Sequence, residues 1–298
     1  MLRIMRRLLI IGCGDVGARL IPLARTRYRM VALTRDIAQC AALRALGVTP
    51  IVGDLDQPRT LTALAGIAHD VVHLAPPPAS GTIDMRTAHL IAALGNQRKA
   101  KNMWVSLPQH FVYISTSGVY GDCAGAIVPE TRPAQPQTPR AQRRVDAERR
   151  LRAWGARSGV PVSILRVPGI YAADRLPLAR LRRGTPALND ADDSFVNHVH
   201  ADDLARLVMA ALTRARPGRA YNAVDDVPQK MGDYFDLVAD RHGLPRPPRI
   251  ARSEAVNVIP QNLLSFMSES RRLTNQRIKR ELRFQLKYPS VHVGITAT

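Results

Sequence analysis

The residues Leu8-Leu9-Ile10-Ile11-Gly12-Cys13-Gly14-Asp15-Val16-Gly17 constrain this chain more than any other stretch. An apolar run fit for a buried parallel strand leads straight into G-x-G-x-x-G, and a helix-like segment, Ala18 to Arg27, follows. Phosphate binding needs that order. The glycines let the backbone turn sharply and approach a pyrophosphate, and the helix N-terminus then offers unpaired N–H groups and a positive dipole end. A glycine pattern alone is weak evidence, but one set between strand and helix has the required context. The stretch predicts a dinucleotide site with Gly12, Gly14, Asp15, Val16 and Gly17 around the phosphates.

The same N-terminus, with basic residues, an apolar run and then Cys13, also looks like a signal peptide. Its apolar core, Leu8 to Ile11, is shorter than the roughly 7–15 residues a signal needs, and that reading leaves the glycines unexplained. No other segment approaches the ~18 uncharged apolar residues of a membrane helix. The chain is expected to be soluble and cytoplasmic, with no membrane partner.

At 298 residues and 46% hydrophobic, the chain can bury the core of one large α/β domain plus a smaller lobe. Three cysteines, Cys13, Cys40 and Cys123, are far apart and odd in number, which suggests neither a disulfide framework nor a metal site. A net charge of +19 invites a nucleic-acid reading. Against it, the basic residues are spread along the whole chain and only five are lysine. Runs such as Arg140 to Arg152 interleave Asp146 and Glu148 on a helical pattern and read as a solvated face. Specific nucleic-acid binding is not expected.

Apolar strands alternate with helical patterns through the first two-thirds. Strands are expected at 30–33, 48–52, 70–74, 111–114 and 162–165, with helices at 37–46, 58–64, 83–94 and 140–156. That alternation predicts a Rossmann-type, doubly wound parallel sheet with ligands at the carboxyl ends of its strands. Beyond Arg166 the pattern loosens. Residues 172–191 are rich in Arg and Pro, 194–199 is strand-like, 202–212 helical, 220–224 a short strand, and 263–282 helical. The division expected is a dinucleotide-binding core over 1–171 and a substrate lobe over 172–298, with 194–224 returning to the core.

The segment Phe111-Val-Tyr-Ile-Ser-Thr-Ser-Gly-Val-Tyr-Gly121 resembles the S-S-x-x-x-V-Y-G signature of extended short-chain dehydrogenases/reductases, the family of sugar-nucleotide epimerases and dehydratases. Other segments match in order. Val52-Gly-Asp-Leu-Asp56 is similar to the family's adenine-contacting turn, which implies cofactor contacts for Asp54 and Leu55. Val72-His-Leu-Ala-Pro76 is similar to the stretch along the adenosine ribose, implicating Leu74, Ala75 and Pro76. Leu165-Arg-Val-Pro-Gly-Ile-Tyr171 resembles the segment beside the nicotinamide, implicating Pro168. Asn197 to Leu204 resembles the late strand–helix junction. The resemblance also implies a homodimer.

The departures matter more for chemistry. Gly12, Gly14 and Gly17 replace the family's G-x-x-G-x-x-G spacing. Anchoring on Glu148 puts Arg140 and Arg144 at the positions of the catalytic Tyr and Lys, and no Tyr-x-x-x-Lys exists anywhere in the chain. Gly169 stands where the family has a substrate-contacting Asn. Arginine stays protonated, with a pKa above ~12, so it cannot exchange the proton that the tyrosine exchanges. Arg144 can still donate to a ribose, and Arg140 can bind an anionic substrate bidentately. Thr116 holds the hydroxyl position that polarises the substrate in the family; capping the strand end is an equally open role for it. Tyr113 is expected to be packed, Tyr120 and Tyr171 structural, His198 and His200 structural or capping, and Asp202 or Asp203 a helix cap.

Cofactor choice is addressed directly. NAD-selective sites carry an acidic residue at the end of the second strand. Here Thr34 and Arg35 stand there, a pair suited to a 2′-phosphate, while Asp36 is expected to cap the next helix. NADP(H) is expected to be preferred, with NAD(H) as the second cofactor accepted. Two functions stay open: an NADP-dependent oxidoreductase or epimerase with a reassigned proton donor acting on a small molecule, or a non-catalytic dinucleotide-binding protein with a redox-sensing or structural role.

Overall fold

Leu8, Leu9, Ile10 and Ile11 are all fully buried, and the fold is organised around that run. The computed structural model describes residues 5–95, 106–265 and 267–296. The sheet strands are β1 (Arg6–Ile11), β2 (Tyr28–Thr34), β3 (Val48–Val52), β4 (Asp70–His73), β5 (His110–Thr116), β6 (Val162–Val167) and β7 (Ala220–Asn222). They form one sheet in the order β7-β6-β5-β4-β1-β2-β3, with every neighbouring pair parallel. Parallel strands need helical crossovers, which cover both faces. On one face Leu8 and Ile10 pack with Leu20, Leu204 and Val208. On the other, Leu9 and Ile11 pack with Leu90, Leu151 and Trp154. Successive strand residues point to opposite faces, so a strand buried on both sides reads as an unbroken apolar run.

The crossover helices are α1 (Asp15–Ala24), α2 (Gln39–Ala45), α3 (Met85–Leu94), α4 (Pro139–Ser158) and α5 (Ala201–Arg214). Helix α4 is bounded by its sequence. The Thr138 side chain accepts from Ala141 N, Pro139 occupies the first turn, and Gly159 ends the helix in the left-handed conformation. Its Glu148 is buried and receives Arg166 of β6 through Nε and Nη2, at 3.1 and 2.8 Å, and the Ser115 hydroxyl of β5 at 2.7 Å. Arg166 also lies over the Tyr120 ring, and the Tyr120 hydroxyl donates to Asn222 of β7. One buried carboxylate thus ties α4 to β5 and β6.

After β6 the chain builds a smaller lobe from short strand pairs and helix α6 (Met231–Arg241), with Tyr171, Leu181, Tyr234, Phe235 and Val291 in its core. Residues 276–284 then return, and Ile278, Leu282 and Phe284 join the core on the β1 face. The short helix expected over 58–64 forms, in 3₁₀ geometry. Other local expectations are corrected. The stretch 194–199 splits into 195–196 and 198–200, which pair with 229–230 and 169–171 respectively. The expected helix over 263–282 is a short turn of helix at 261–264, a strand at 272–273 and a helix at 276–281. Asp36 makes a turn, accepting from Ala38 N at 2.9 Å, before α2 begins at Gln39. The Arg run on α4 is only partly solvated: Arg143 is buried and donates to the Gly81 carbonyl. Among the described residues no helix is long and apolar enough to cross a membrane.

Candidate active site

The strand order reverses between β1 and β4, and that is where the glycines sit. Each glycine has a different reason to lack a side chain. Gly12 has φ +86°, and a Cβ there would lie 2.7 Å from the backbone of Ala75, just after β4. A Cβ on Gly17 would press on Cys13 Sγ, the Gly12 carbonyl and Leu74 Cδ1 at 3.3–3.4 Å. A Cβ on Gly14 would meet nothing within 4 Å. Gly14 is the residue before α1, so that open space lies at the helix's unpaired N–H groups. The first glycine makes the turn, the third lets helix and strand close, and the second keeps space clear at a helix N-terminus. A pyrophosphate fits this cradle.

A cavity of about 430 Å³ opens here along the carboxyl ends of β1 to β4. It gathers Gly12, Gly14, Thr34, Arg35, Asp54, Leu55, Leu74, Ala75 and Pro76 from the sequence-derived set. The other members of that set lie elsewhere. Asp15 is paired with Arg19 at 2.9 Å and Arg175 at 2.7 Å; burial pushes its carboxyl up, but these two guanidiniums hold it below its ordinary value. Val16 packs against the core, Gly17 lies beneath the helix, and Pro168 lines a second cavity.

At the rim of the first cavity Thr34 is buried, and its hydroxyl engages Gln39 Oε1 and the Asp36 backbone. Arg35 and Asp36 are both exposed there. One carboxylate oxygen of Asp36 is held by Ala38 N, whereas Arg35 extends from a backbone the Thr34 contacts brace. Cys13, Gln39 and Arg86 also line the cavity, and none was identified from the sequence. Arg86 binds both oxygens of Asp56 at 2.8 and 2.6 Å and the carbonyls of Pro76 and Pro77. It thereby joins the turns after β3 and β4. No motif in the sequence marks it.

The second cavity, about 240 Å³, lies over the ends of β5 and β6 and beneath the lobe. Thr116, Arg140, Pro168 and Gly169 line it. The Thr116 oxygen accepts from Gly118 N at 3.2 Å, which caps a short 3₁₀ turn and leaves its own proton for another acceptor. Both roles left open for Thr116 are therefore compatible in one side chain. Arg140 sits in the first turn of α4, and burial lowers its guanidinium from its ordinary value while it stays cationic. Arg144 turns the other way, donating to the Tyr113 hydroxyl at 3.0 Å and the Ile114 carbonyl at 2.9 Å. Those bonds hold it against β5, and it does not line either cavity.

Gly169 has a visible consequence. A Cβ there would lie 3.1 Å from His198 Cδ2, so the missing side chain makes room for an imidazole. His198 is buried, stacked on Tyr234 at 4.3 Å between centroids, and burial pushes its pKa down to about 4, so it is neutral at physiological pH. His200, not Asp202 or Asp203, caps α5: its Nδ1 accepts from Asp202 N at 3.2 Å. Asp202 pairs with Arg19, and Asp203 is fully buried, accepting from the backbone of Lys287 and Tyr288. Tyr120 and Tyr171 are tied by hydroxyl bonds to Asn222 and the Ser290 carbonyl, and Tyr113 is fully buried.

A strand-order reversal, a glycine cradle at a helix N-terminus and a cavity along the carboxyl ends define a Rossmann-type dinucleotide-binding protein. More narrowly, the chain belongs to the NAD dependent epimerase/dehydratase family, whose profile matches residues 8–223. Among curated relatives it is similar to GDP-6-deoxy-D-mannose reductase of Pseudomonas aeruginosa, 28% identical over 146 residues, or 44% of this chain and 48% of that protein. It is also similar to dTDP-D-glucose 4,6-dehydratase of Mus musculus, 26% identical over 122 residues, covering 38% of this chain and 34% of the other. These matches span less than half the length of those relatives. A functionally unknown conserved protein from Silicibacter pomeroyi DSS is similar over 98% of both chains, at 29% identity and a TM-score of 0.78. UDP-glucose 4-epimerase from Thermotoga maritima, solved with UDP-glucose, shares the fold over 98% of this chain and 97% of its own, at 16% identity and a TM-score of 0.74.

Proposed function

We propose that the chain is an NADP(H)-dependent oxidoreductase or epimerase of this family with a non-standard active site. The observation that carries the reading is Arg35 in the lining of the glycine cavity, in a fold that also has a cavity lined by Thr116 and Arg140. The residues that would hold the cofactor are Gly12 and Gly14 at the phosphates, Arg35 at a 2′-phosphate, and Asp54, Leu55 and Leu74 to Pro76 around the adenosine. When bound, the nicotinamide supplies a hydride donor or acceptor. The chain's own residues orient the substrate: Thr116 donates to an oxygen, and Arg140 offers paired N–H donors to an anionic group.

Side-by-side calorimetric titrations test the cofactor assignment. NADP(H) binds more tightly than NAD(H), and Arg35→Ala lowers NADP(H) affinity about ten- to a hundredfold, the worth of a charge-assisted contact. Tighter NAD(H) binding by the unaltered protein overturns the assignment and points to Asp36. One observation favours a non-catalytic dinucleotide-binding protein instead: Arg144, at the family's lysine position, is committed to Tyr113 and the β5 backbone. NADPH that binds but is not consumed across a panel of carbonyl substrates, together with no interconversion of sugar epimers by the NADP⁺-loaded protein, decides for that second reading.

A further inference from the structure

A third cavity lies apart from the two already described, on the face of the sheet covered by α1 and α5. It measures about 460 Å³ and opens where those two helices end, beside the turn at 283–285. Arg27, Arg206, Arg214 and Arg283 line it, and no carboxylate does. Leu23, Met209 and the buried Phe284 supply its apolar part. None of these residues lines the glycine cavity or the second cavity. The glycine cradle sits at the N-terminal end of α1 and this cavity at its C-terminal end, about 15 Å away along the helix.

Two of the four guanidiniums are fixed by the protein. Arg206 donates through Nη1 to the buried Asp203 and through Nη2 to the Gln285 carbonyl at 3.1 Å, and it lies 5.2 Å from the centroid of the Phe284 ring. Arg214 donates to the Leu282 carbonyl at 2.8 Å. Those bonds grip the chain on both sides of Arg283, whose φ of +48° lies in the left-handed region that L side chains rarely adopt. Such a conformation persists where the surroundings impose it, and it gathers at ligand-binding positions. Arg27 and Arg283 are exposed and make no side-chain hydrogen bond or ion pair among the described residues. A guanidinium has several N–H donors in a rigid fork, and most of those lining this cavity have no acceptor among the described residues.

The charge balance sets what the cavity can hold. The C-terminal ends of α1 and α5 favour cations, and their two dipole ends together carry about one negative charge. Asp203 offsets one more guanidinium. The four arginines therefore keep a surplus of about two positive charges. A guanidinium fork matches phosphate oxygens bidentately. The volume lies within the roughly 300–1,000 Å³ of small-molecule sites. We infer that this cavity is an anion site distinct from the glycine cradle, and that it takes the di- or triphosphate group of a small molecule. Arg27 and Arg283 bind the phosphates, and Arg206 and Arg214 are the fixed cations beside them. The inference stands apart from the proposed function, since it needs neither the dinucleotide nor a reaction.

The test is calorimetry on the full chain at about 0.15 M salt, where a Debye length of about 8 Å screens distant charges. The probes are tripolyphosphate, orthophosphate, citrate and a single-stranded oligonucleotide. Tripolyphosphate is expected to bind about tenfold or more tightly than orthophosphate or citrate. Arg27→Gln combined with Arg283→Gln is expected to weaken it about tenfold or more. Thr213→Glu, which adds a carboxylate at an exposed position of the same lining, is expected to weaken it as well, so a folding failure in either variant leaves the other to decide. Arg157→Gln combined with Arg241→Gln removes the same charge from the last turns of α4 and α6, and should leave the affinity within about twofold. Equal losses from the two arginine pairs overturn the site, because attraction to the net charge of +19 then accounts for the binding. No tripolyphosphate binding, or undiminished binding by the cavity variants, overturns it too. Citrate binding as tight as tripolyphosphate overturns the phosphate class. Oligonucleotide binding that is tighter than tripolyphosphate and lost with Arg27 and Arg283 overturns the small-molecule source in favour of a nucleic-acid backbone.

Discussion

Replacing Gly14 and Gly12 one at a time separates cofactor contact from folding, because the two positions fail for opposite reasons. At Gly14 the backbone has φ −82° and ψ −154°, outside the positive-φ region that favours glycine, and a Cβ would meet nothing within 4 Å among the described residues. Gly14→Val should therefore change stability by no more than about 0.5 kcal/mol, as for a surface substitution. The added branches fill the space in front of the α1 N–H groups. Displacing a phosphate from one such donor costs about 1.5–3 kcal/mol, roughly ten- to 150-fold in affinity. At Gly12 the balance inverts. A side chain at φ +86° costs about 1–2 kcal/mol, and a Cβ 2.7 Å from the Ala75 backbone adds an overpacking cost of about 1–3 kcal/mol. Gly12→Ala should lose about 2–5 kcal/mol of folding stability in urea denaturation. Calorimetry with NADP(H) and urea melts on both variants check the pair. Unchanged binding by a folded Gly14→Val protein, or a Gly12→Ala protein as stable as the parent, refutes the reasoning.

Other expectations follow from buried groups. Glu148→Ala strands the Arg166 guanidinium and the Ser115 hydroxyl, and should cost about 3–5 kcal/mol in urea denaturation. The double variant Glu148→Leu with Arg166→Met should be more stable than Glu148→Ala, and equal stability argues against a buried uncompensated charge. Asp225 is buried, one of its carboxylate oxygens has no hydrogen-bond partner among the described residues, and burial raises its pKa to about 8. The folded chain then holds a proton that the unfolded chain releases near pH 4. Stability contributed by this group is complete below about pH 4 and falls by up to about 1.4 kcal/mol per pH unit until about pH 8. Asp225→Asn should flatten that slope, and an unchanged pH–stability curve rejects the assignment.

The folding core was legible in the sequence because its signals are local. An apolar run buried on both faces is continuous whatever packs on it, and a turn that admits no Cβ demands glycine whatever lies beyond. Leu8 to Gly17 therefore announce the strand, the cradle and the helix together. That Asp54, Leu55 and Leu74 to Pro76 line one cavity was legible for a related reason: they follow strands directly, and parallel strands bring all their carboxyl ends to one edge. Thr116 and Arg140 were found through a family signature and a single acidic anchor, and that anchor, Glu148, is buried against Arg166 of β6.

What needed the tertiary structure is every contact made by a long side chain across a large sequence separation. Arg86 joins two turns from a helix that no motif marks, and Arg144, on the same helix as Arg140, bonds β5 instead of facing the cavity. Glu269 and Arg271 lie in a stretch whose periodicity suggested one helix, yet they line the second cavity. Long polar side chains have several rotatable bonds, so their direction is set by the partners packing brings within reach, and those partners are not neighbours in the chain. The sequence determined the sheet and the glycine turn through backbone constraints; packing decided which charges face each cavity.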